Sequence, residues 1–394
     1  MDVLEVLKVA YFARGGSYGD GLPLLFWGLP GPGKTAIIEQ FARSLGVHCE
    51  VLSPGERGEG AFGCVPVPVG KAKDTRIAYP PPWWLDDFND RPGSILFVDE
   101  LSSAPPALHP PLLGLIQAKR IGGSELPRTT RVFAAANPPE CAAGGFDLAP
   151  PVANRLGHIQ WPMPTAEQWA DYMIGGASGV RRPIDVAAAT SLVESGWDAA
   201  FAAASALTSA FARANPGILH RMPTEGSAAK AWPSHRTWEL ATRALASARL
   251  HRASEETSIT LVSAFVGDGA ASEFLTWAAR QDLPDAGELL DGRATFKHDP
   301  TRADRTHVVA SALAATLISE RADKARFSAR AEKMWAIFDG LAVEGVDLIY
   351  GAARAALLAA KNGHPLAPAL TTGTAWIRVM TRIKPALAAA GITP

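Results

Sequence analysis

The chain has 394 residues, more than one ordinary domain contains, so we expect two or three domains that each bury their own core. Its 38 lysine and arginine residues almost equal its 39 aspartate and glutamate residues, and no overall charge attracts the chain to nucleic acid or to an anionic membrane. A hydrophobic content of 47% with a charged content of 20% is typical of a soluble globular protein.

The sequence shows no sign of export or of membrane insertion. Residues 1–5 begin acidic and lack the basic and then apolar stretch of a secretory signal. The longest apolar stretches, 308–318 and 355–360, are shorter than the roughly 18 residues of a spanning helix. The three cysteines have neither metal-ligand nor redox spacing: Cys49, Cys64 and Cys141. A cytoplasmic location is therefore expected, because thiols stay reduced there.

The first part of the chain predicts a helix and then a strand–helix–strand unit. Residues 1–13 have helical apolar spacing, and residues 22–27 form a short apolar run. Residues 36–45 are amphipathic and end at a glycine, and residues 47–52 alternate as a strand does. A unit of this length predicts a parallel sheet with a ligand at the carboxyl ends of its strands.

A loop of glycine and proline follows the first strand directly. Residues 28–35 read Gly-Leu-Pro-Gly-Pro-Gly-Lys-Thr, the P-loop pattern. In this pattern backbone N–H groups surround phosphate oxygens, Lys34 reaches the β- and γ-phosphates, and the Thr35 hydroxyl binds Mg²⁺. The predicted nucleotide-binding residues of the loop are Gly28, Pro30, Gly31, Pro32, Gly33, Lys34 and Thr35. An ordinary Gly/Pro turn is the alternative, and the flanking strand and helix disfavour it.

Residues 53–93 are rich in glycine and proline, and two interpretations stay open. Segments 62–69 and 75–79 can pair as a small hairpin. The stretch is either a surface excursion held by Trp83 and Trp84 or a contact for a partner or a pore, since long structured loops often carry function.

An apolar strand at 94–100 ends in two carboxylates, Asp99 and Glu100. Continuous apolar runs are typical of buried parallel strands. Beside a P-loop, Asp99 is placed to hold Mg²⁺ and Glu100 to polarise an attacking water. The alternative is that the acids cap a helix near residues 102–103, but capping does not require the preceding apolar strand.

Three further elements complete the predicted sheet. A helix at 105–119 is followed by a stretch that turns back and by a strand at 131–136. This strand ends in Asn137, whose amide can hydrogen-bond the lytic water or the γ-phosphate, although Asn-Pro also begins ordinary turns. The fifth strand is predicted at 159–161.

The remaining residues predict helices, and those from residue 258 onward show no internal repeat and no chemical motif. Their ranges are 166–175, 186–194, 198–214, 238–251, 258–280, 307–320, 325–341, 346–361 and 374–390. The stretch 282–305, which contains Pro284 and Pro300, is the best candidate for a domain boundary.

The order of these motifs resembles that of AAA+ ATPases, and five segments look like the MoxR-type group. They are Leu-Phe-Val-Asp-Glu at 96–100, Ala-Ala-Asn-Pro-Pro-Glu at 135–140, Gly-Gly-Phe-Asp-Leu-Ala-Pro-Pro at 144–151, Ala-Asn-Arg at 153–155 and Trp-Pro-Ser-His-Arg-Thr-Trp at 232–238. The resemblance covers about residues 20–245 and says little about the last third of the chain.

The resemblance implies an α/β fold with three parts. These are an αβα P-loop core with a parallel sheet at 1–165, an α-helical lid at 166–282 and an α-helical C-terminal extension at 283–394. It also implies an ATPase that uses ATP and Mg²⁺ and works as a homo-oligomeric ring, usually hexameric. Such a ring remodels or activates a client protein, often one with a von Willebrand factor A domain.

Two other functions stay open. A nucleic-acid-directed motor is disfavoured by the neutral charge, and a nucleotide-gated scaffold with little turnover is disfavoured by the intact acid pair.

Individual site residues follow from the same resemblance. Lys34 and Thr35 match the P-loop, Asp99 and Glu100 match the Walker B acids, and Asn137 matches the sensor-1 position. The resemblance thus assigns the same chemistry to these five residues as their spacing does.

Two arginines are assigned by the resemblance. Arg155 matches the arginine finger that a neighbouring subunit receives, and Arg236 matches the sensor-2 arginine of the lid. A solvated arginine is the alternative for Arg236. The chain departs from the family at residues 156–158, which read Leu-Gly-His where relatives commonly have Arg-Phe.

Overall fold

The computed structural model divides the chain into two compact units, Met1–Ser195 with Leu219–Ser272 and Gly196–Ile218 with Glu273–Pro394. The described residues are 1–57, 59–63, 65–70, 75–138, 141, 146–175, 183–223, 229–281, 283–320, 323–361 and 364–389. Parts of two predicted motifs and one cysteine lie outside the described residues: Pro139, Glu140, Gly144, Gly145 and Cys64. The three segments proposed for 1–165, 166–282 and 283–394 stay a prediction.

The first unit begins with the predicted strand–helix–strand arrangement. Helix α1 (Val3–Phe12) precedes β1 (Leu24–Trp27), and α2 (Lys34–Leu45) connects β1 to β2 (Cys49–Leu52). Asp2 caps α1 by accepting the backbone N–H of Leu4 at 2.9 Å. All four residues of β1 are buried, as expected for a central parallel strand.

In its described residues the glycine-rich excursion contains a short hairpin and several helical turns. The turns are α3 (Pro54–Arg57), a 3₁₀ segment at Glu59–Phe62, another at Trp83–Leu85, and α4 (Asp86–Asn89). The predicted hairpin is confirmed in a shorter form, with β3 (Val67–Val69) antiparallel to β4 (Arg76–Ala78). Trp84 is buried and its Nε1 donates to the Ala61 carbonyl at 2.8 Å, whereas Trp83 is exposed.

Three of the remaining strands complete one parallel sheet, and two others form a separate antiparallel hairpin. In chain order the elements of this part are β5 (Ile95–Val98), α5 (His109–Leu113) continued by a π-helical turn at Gly114–Ala118, the hairpin β6 (Arg120–Ile121) and β7 (Ser124–Glu125), β8 (Arg131–Ala136), α6 (Pro150–Ala153) and β9 (Gly157–Gln160). The sheet order is β2-β5-β8-β1-β9. The neighbouring strands β8 and β1 continue toward opposite sides of the sheet, β1 to β2 and β8 to β9. Such switch points bind ligands at the carboxyl ends of the strands.

The helices of the first unit follow the sheet. They are α7 (Ala166–Gly175), α8 (Val186–Ala214), α9 (His235–Leu250), α10 (Glu255–Val266) and α11 (Asp268–Ala279), with α8 and α11 continuing into the second unit. Two helices predicted at 186–194 and 198–214 are one, α8. The helix predicted at 258–280 is two, because Gly267 adopts φ 79° between α10 and α11.

The second unit is helical. It contains α12 (Ala286–Leu290), α13 (Ala303–Ser319), α14 (Lys324–Glu344), α15 (Asp347–Lys361), α16 (Ala367–Leu370) and α17 (Thr374–Ala389). Trp335 lies in its core and donates to the Leu370 carbonyl at 3.0 Å. The parallel sheet with its helices and the helical C-terminal part confirm the α/β fold class. No helix in the described part of the chain is long and apolar enough to cross a membrane.

Candidate nucleotide-binding site

The loop after β1 is shaped by three glycines. Gly31 has φ 97° and Gly33 has φ 84°, a left-handed backbone that favours glycine. A Cβ at either position would have no atom within 4 Å, so the loop is open there. A Cβ at Gly28 would instead lie 2.8 Å from the Cβ of Trp161. Gly33 also begins α2, whose N-terminal N–H groups therefore face the loop, as an anion site requires.

Lys34 lies buried under this loop and is held by three oxygen atoms. Its Nζ donates to the carbonyls of Gly28 at 2.7 Å and Leu29 at 3.0 Å, and to Oδ1 of Asn137 at 2.9 Å. Burial lowers the pKa of Lys34, and the charges of Asp99 and Glu100 oppose this shift. The ammonium group therefore has three oxygen acceptors, and the oxygens of a bound phosphate could take their place.

Thr35 and Asp99 are joined by a hydrogen bond across the sheet edge. The Thr35 hydroxyl donates to Oδ2 of Asp99 at 2.5 Å, and Oδ1 of Asp99 accepts from the backbone N–H of Glu100 at 2.9 Å. A hydroxyl and a carboxylate side by side are ligands that suit Mg²⁺, which keeps several waters and takes few protein ligands. Among the described residues no cluster of three or more His, Cys, Asp or Glu side chains could hold a metal.

Glu100 is exposed and has an uncommon backbone conformation. Its φ of 53° and ψ of 43° are left-handed, and its carbonyl accepts from the Ser103 hydroxyl at 2.7 Å. Such conformations in non-glycine residues cost about 1–3 kcal/mol and cluster at functional sites. Asp99 and Glu100 therefore present different sides of the strand end, one toward Thr35 and the other toward solvent.

Asn137 reaches this site because β8 is the neighbour of β1. The register pairs Trp27 with Ala136, so the residues that follow both strands emerge together. The structure thus brings together five of the residues predicted from the sequence: Lys34, Thr35, Asp99, Glu100 and Asn137. These residues and the open glycines fit both a triphosphate and Mg²⁺.

Arg155 and Arg236 form a second polar cluster. The Nε of Arg155 donates to Oε1 of Gln117 at 2.5 Å and its Nη1 donates to the Pro151 carbonyl at 2.7 Å. The Nη1 of Arg236 lies 3.4 Å from Oδ1 of Asn154, which also accepts from the Ser234 hydroxyl at 2.9 Å. Burial lowers the pKa of Arg155, and the nearby charge of Arg236 adds to this effect.

The two clusters lie at opposite edges of the sheet. Lys34 follows the carboxyl end of β1, whereas Arg155 precedes β9, whose first residue Gly157 pairs with Leu24 at the amino end of β1. A strand rises about 3.3 Å per residue, so the length of β1 separates the clusters. In the described structure neither arginine is bonded to the Lys34 group.

Sequence reasoning missed three residues of the second cluster. Asn154 was part of a motif that pointed to Arg155, but nothing in the sequence assigned it a bond. Gln117 belongs to a predicted helix and had no signal of its own. Tyr18 lies in a glycine-rich turn, and the charges of both arginines act on its hydroxyl.

No protein-family model matches this chain, and no curated protein matches it. Among solved structures it is similar to a crystal structure of a protein from Cytophaga hutchinsonii ATCC 33406 that is described as a "putative ATPase". The two sequences are 15% identical, the match covers 67% of this chain and 80% of that one, and the TM-score is 0.44. Function therefore has to be inferred from the side chains of this chain.

Proposed function

We propose that this chain is a Mg²⁺-dependent ATPase of the MoxR-type AAA+ group. The observation that carries the proposal is the bonded set at the carboxyl edge of the sheet, where Lys34 meets Asn137 and Thr35 meets Asp99. The open backbone at Gly31 and Gly33 supplies room for phosphate oxygens above this set.

The reaction is the in-line attack of water on the γ-phosphorus, which forms a new P–O bond to the water oxygen while the bond to the bridging oxygen breaks and ADP leaves with that oxygen. Lys34 exchanges its three oxygen partners for phosphate oxygens and offsets the charge that develops there. Asn137, released from Lys34 by this exchange, orients the water, and Glu100 accepts its proton from the solvent side. Thr35 and Asp99 would hold Mg²⁺, which would supply further neutralisation of the phosphate charge.

The position of the two arginines supports assembly into a ring. Arg155 and Arg236 share a cluster at the edge of the sheet away from the P-loop, so each would serve the nucleotide of a neighbouring copy. An arginine supplied in this way is worth about 10³ to 10⁵ in rate. We propose a homo-oligomeric ring, hexameric as in the group that the motifs resemble.

A client protein is the expected target of the ring. Exposed apolar side chains on a compact protein often mark binding surfaces. Five of them lie on or beside the β3–β4 hairpin: Val67, Val69, Ile77, Tyr79 and Trp83. These side chains support the proposal that the ring remodels a partner, with a von Willebrand factor A domain as the first candidate.

The role split between Lys34 and Glu100 tests the proposal. Lys34→Ala removes the group that meets the phosphates, so ATP binding should be lost. Glu100→Gln keeps the metal and phosphate ligands, so ATP and Mg²⁺ should bind while hydrolysis falls by about 10² or more. Isothermal calorimetry measures binding, and phosphate release measures turnover.

The control is Glu332→Gln, which changes an exposed carboxylate of the second unit and should behave as the unaltered protein does. Equal loss of ATP binding in the Lys34 and Glu100 variants would contradict the role split. Absence of Lys34-dependent turnover in the unaltered protein would contradict the ATPase proposal itself.

A further inference from the structure

Two buried tyrosines in the N-terminal stretch differ in what their hydroxyls do. The Tyr11 hydroxyl donates to the Gly93 carbonyl at 2.8 Å. Tyr18 is only 3% exposed, and its hydroxyl has no hydrogen-bond partner among the described residues. A buried hydroxyl without a partner is costly, and a phenylalanine would fill the same space without that cost. The Tyr18 hydroxyl therefore calls for a partner that comes from outside the chain.

Tyr18 lies where the N-terminal loop meets the second polar cluster. The 3₁₀ turn Gly16–Tyr18 packs against Gly114–Ala118, which contains the Gln117 that holds Arg155. On the other side the turn approaches α9, because a Cβ at Gly16 would lie 2.5 Å from Nη2 of Arg243. The turn is thus fixed between the element that holds Arg155 and the helix that carries Arg236.

The charges around the Tyr18 hydroxyl are those of an anion site. Burial raises the pKa of Tyr18 to about 12, the positive charges of Arg236 and Arg155 oppose this, and Glu239 adds to it. Glu239 is itself paired with Arg243, whose Nη2 lies 2.8 Å from its Oε1. The positive charges of two arginines therefore act on a hydroxyl that has no hydrogen-bond partner among the described residues.

We propose that the Tyr18 hydroxyl, together with Arg155 and Arg236, binds the γ-phosphoryl group of a nucleotide held by a second copy of the chain. The proposal rests on the proposed ATPase function and names a further residue of the site that one copy presents to another. Two guanidinium groups and a neutral donor suit a phosphoryl group, which offers several acceptor oxygens. Tyr18 is then a catalytic residue, since its hydroxyl touches the group that is transferred.

Hydrogen bonds hold Arg155 more tightly than Arg236, so Arg236 is the side chain that can move more easily. Arg155 makes hydrogen bonds of 2.5 and 2.7 Å. The Arg236 bond to Asn154, at 3.4 Å, is long and therefore weak. The proposal therefore requires Arg236, the more weakly held of the two, to turn toward an approaching anion so that the anion can reach Tyr18.

The matched pair Tyr18→Phe and Tyr11→Phe tests the role of the hydroxyl. Tyr18→Phe removes a donor to the γ-phosphoryl group, so turnover should fall by about 10²-fold while the melting temperature stays the same or rises. Tyr11→Phe removes a satisfied buried bond, so it should lower the melting temperature and leave turnover per folded molecule unchanged. Normal turnover of Tyr18→Phe would overturn the proposal, and so would a drop in its melting temperature like that of Tyr11→Phe.

Mixing experiments show which copy the hydroxyl serves. Tyr18→Phe mixed with Glu100→Gln should regain turnover, because an intact Tyr18 from the second variant can serve the intact P-loop of the first. Tyr18→Phe mixed with Arg155→Ala should stay inactive, because both variants damage the same face. Recovery in both mixtures, or in neither, would overturn the proposal. If the unaltered protein turns over ATP and depends on Lys34, such a result removes only this inference and leaves the ATPase function standing.

Discussion

His158 of β9 bonds to β1 through one ring nitrogen and to α6 through the other. Its Nδ1 accepts from Nε1 of Trp27 at 2.8 Å, and its Nε2 lies 2.9 Å from the Ala153 carbonyl. Both bonds form together only when the imidazole is neutral with its proton on Nε2, because Trp27 is a donor and a carbonyl is an acceptor. Burial lowers the pKa of His158 to about 4, the bond to Ala153 opposes this shift, and the charge of Lys230 adds to it. This bonding gives the histidine at position 158 a structural role.

The neutral imidazole predicts a specific loss of stability in acid. Between pH 6.5 and about 4 the unfolded chain binds a proton at His158 and the folded chain does not, so the free energy of unfolding falls as the pH falls through this window. The full effect is about 3 kcal/mol below pH 4, and above pH 6.5 the group contributes no pH dependence. Urea unfolding at a series of pH values, compared between the unaltered protein and His158→Asn, measures the contribution of His158 to the pH dependence of the free energy of unfolding.

The His158→Asn variant should show a flatter pH dependence than the unaltered protein. The control is His220→Asn, which changes an exposed ring and should leave the slope as it was. Identical slopes in all three proteins would mean that His158 is protonated in the fold, in contradiction to its two bonds.

At the site, the sequence predicted the residues that follow strands and missed those that support them. Lys34, Thr35, Asp99 and Asn137 could be found because parallel strands bring their carboxyl ends together. The bond between Arg155 and Gln117 joins residues 38 positions apart in the chain, and no spacing rule connects them. Support from the rest of the fold is therefore visible only in the structure.

At Gly157 in β9 the neighbouring side chains leave no room for a Cβ atom. A Cβ there would lie 2.8 Å from Cζ of Phe265 in α10 and 2.9 Å from Cδ2 of Leu24 in β1. Both neighbours are fully buried, so neither can move aside freely. A glycine at this point allows α10 to pack closely on the last strand of the sheet.

We expect Gly157→Ala to destabilise the first unit by about 1–3 kcal/mol, because the added methyl overfills this contact. Gly269→Ala is the matched control in the same unit, since its Cβ would have no atom within 4 Å and it lies in α11. The control should stabilise the helix by roughly 0.5–1 kcal/mol. Melting curves of the two variants should thus shift in opposite directions, and equal shifts would contradict the packing explanation.

Strands were easier to predict than the division of long helices. The strand expected at 131–136 has these bounds in the structure, and the one expected at 22–27 begins two residues later. By contrast, α8 continues through Gly196 because Val193 and Trp197 keep the apolar stripe buried on both sides of it. A weak helix former is tolerated when burial around it is strong.

For the whole molecule, the separation of the two clusters by the sheet has a consequence for assembly. A single copy presents Lys34 and Glu100 at one edge and Arg155 at the other, so one copy cannot complete its own site with Arg155 unless β9 is displaced. Head-to-tail contacts between copies bring unlike edges together and close into rings. In the proposed ring the oligomer is the catalytic unit, because each complete site takes residues from two neighbouring copies.

Mixed oligomers of Arg155→Ala and Glu100→Gln test this arrangement. Each variant alone should be nearly inactive while it still binds ATP, because an arginine supplied in trans is worth about 10³ to 10⁵ in rate. In a mixture, an Arg155→Ala copy keeps its own Glu100 and receives an intact Arg155 from a Glu100→Gln neighbour, so a complete site forms at that interface. Phosphate release should therefore be highest when the two variants are present in equal amounts.

Glu100→Gln mixed with Lys34→Ala is the control and should show no recovery, because both changes fall on the P-loop edge of every copy. Native mass spectrometry establishes that mixed oligomers form, and confirmed mixed oligomers without recovery would count against an arginine that acts across the boundary between copies.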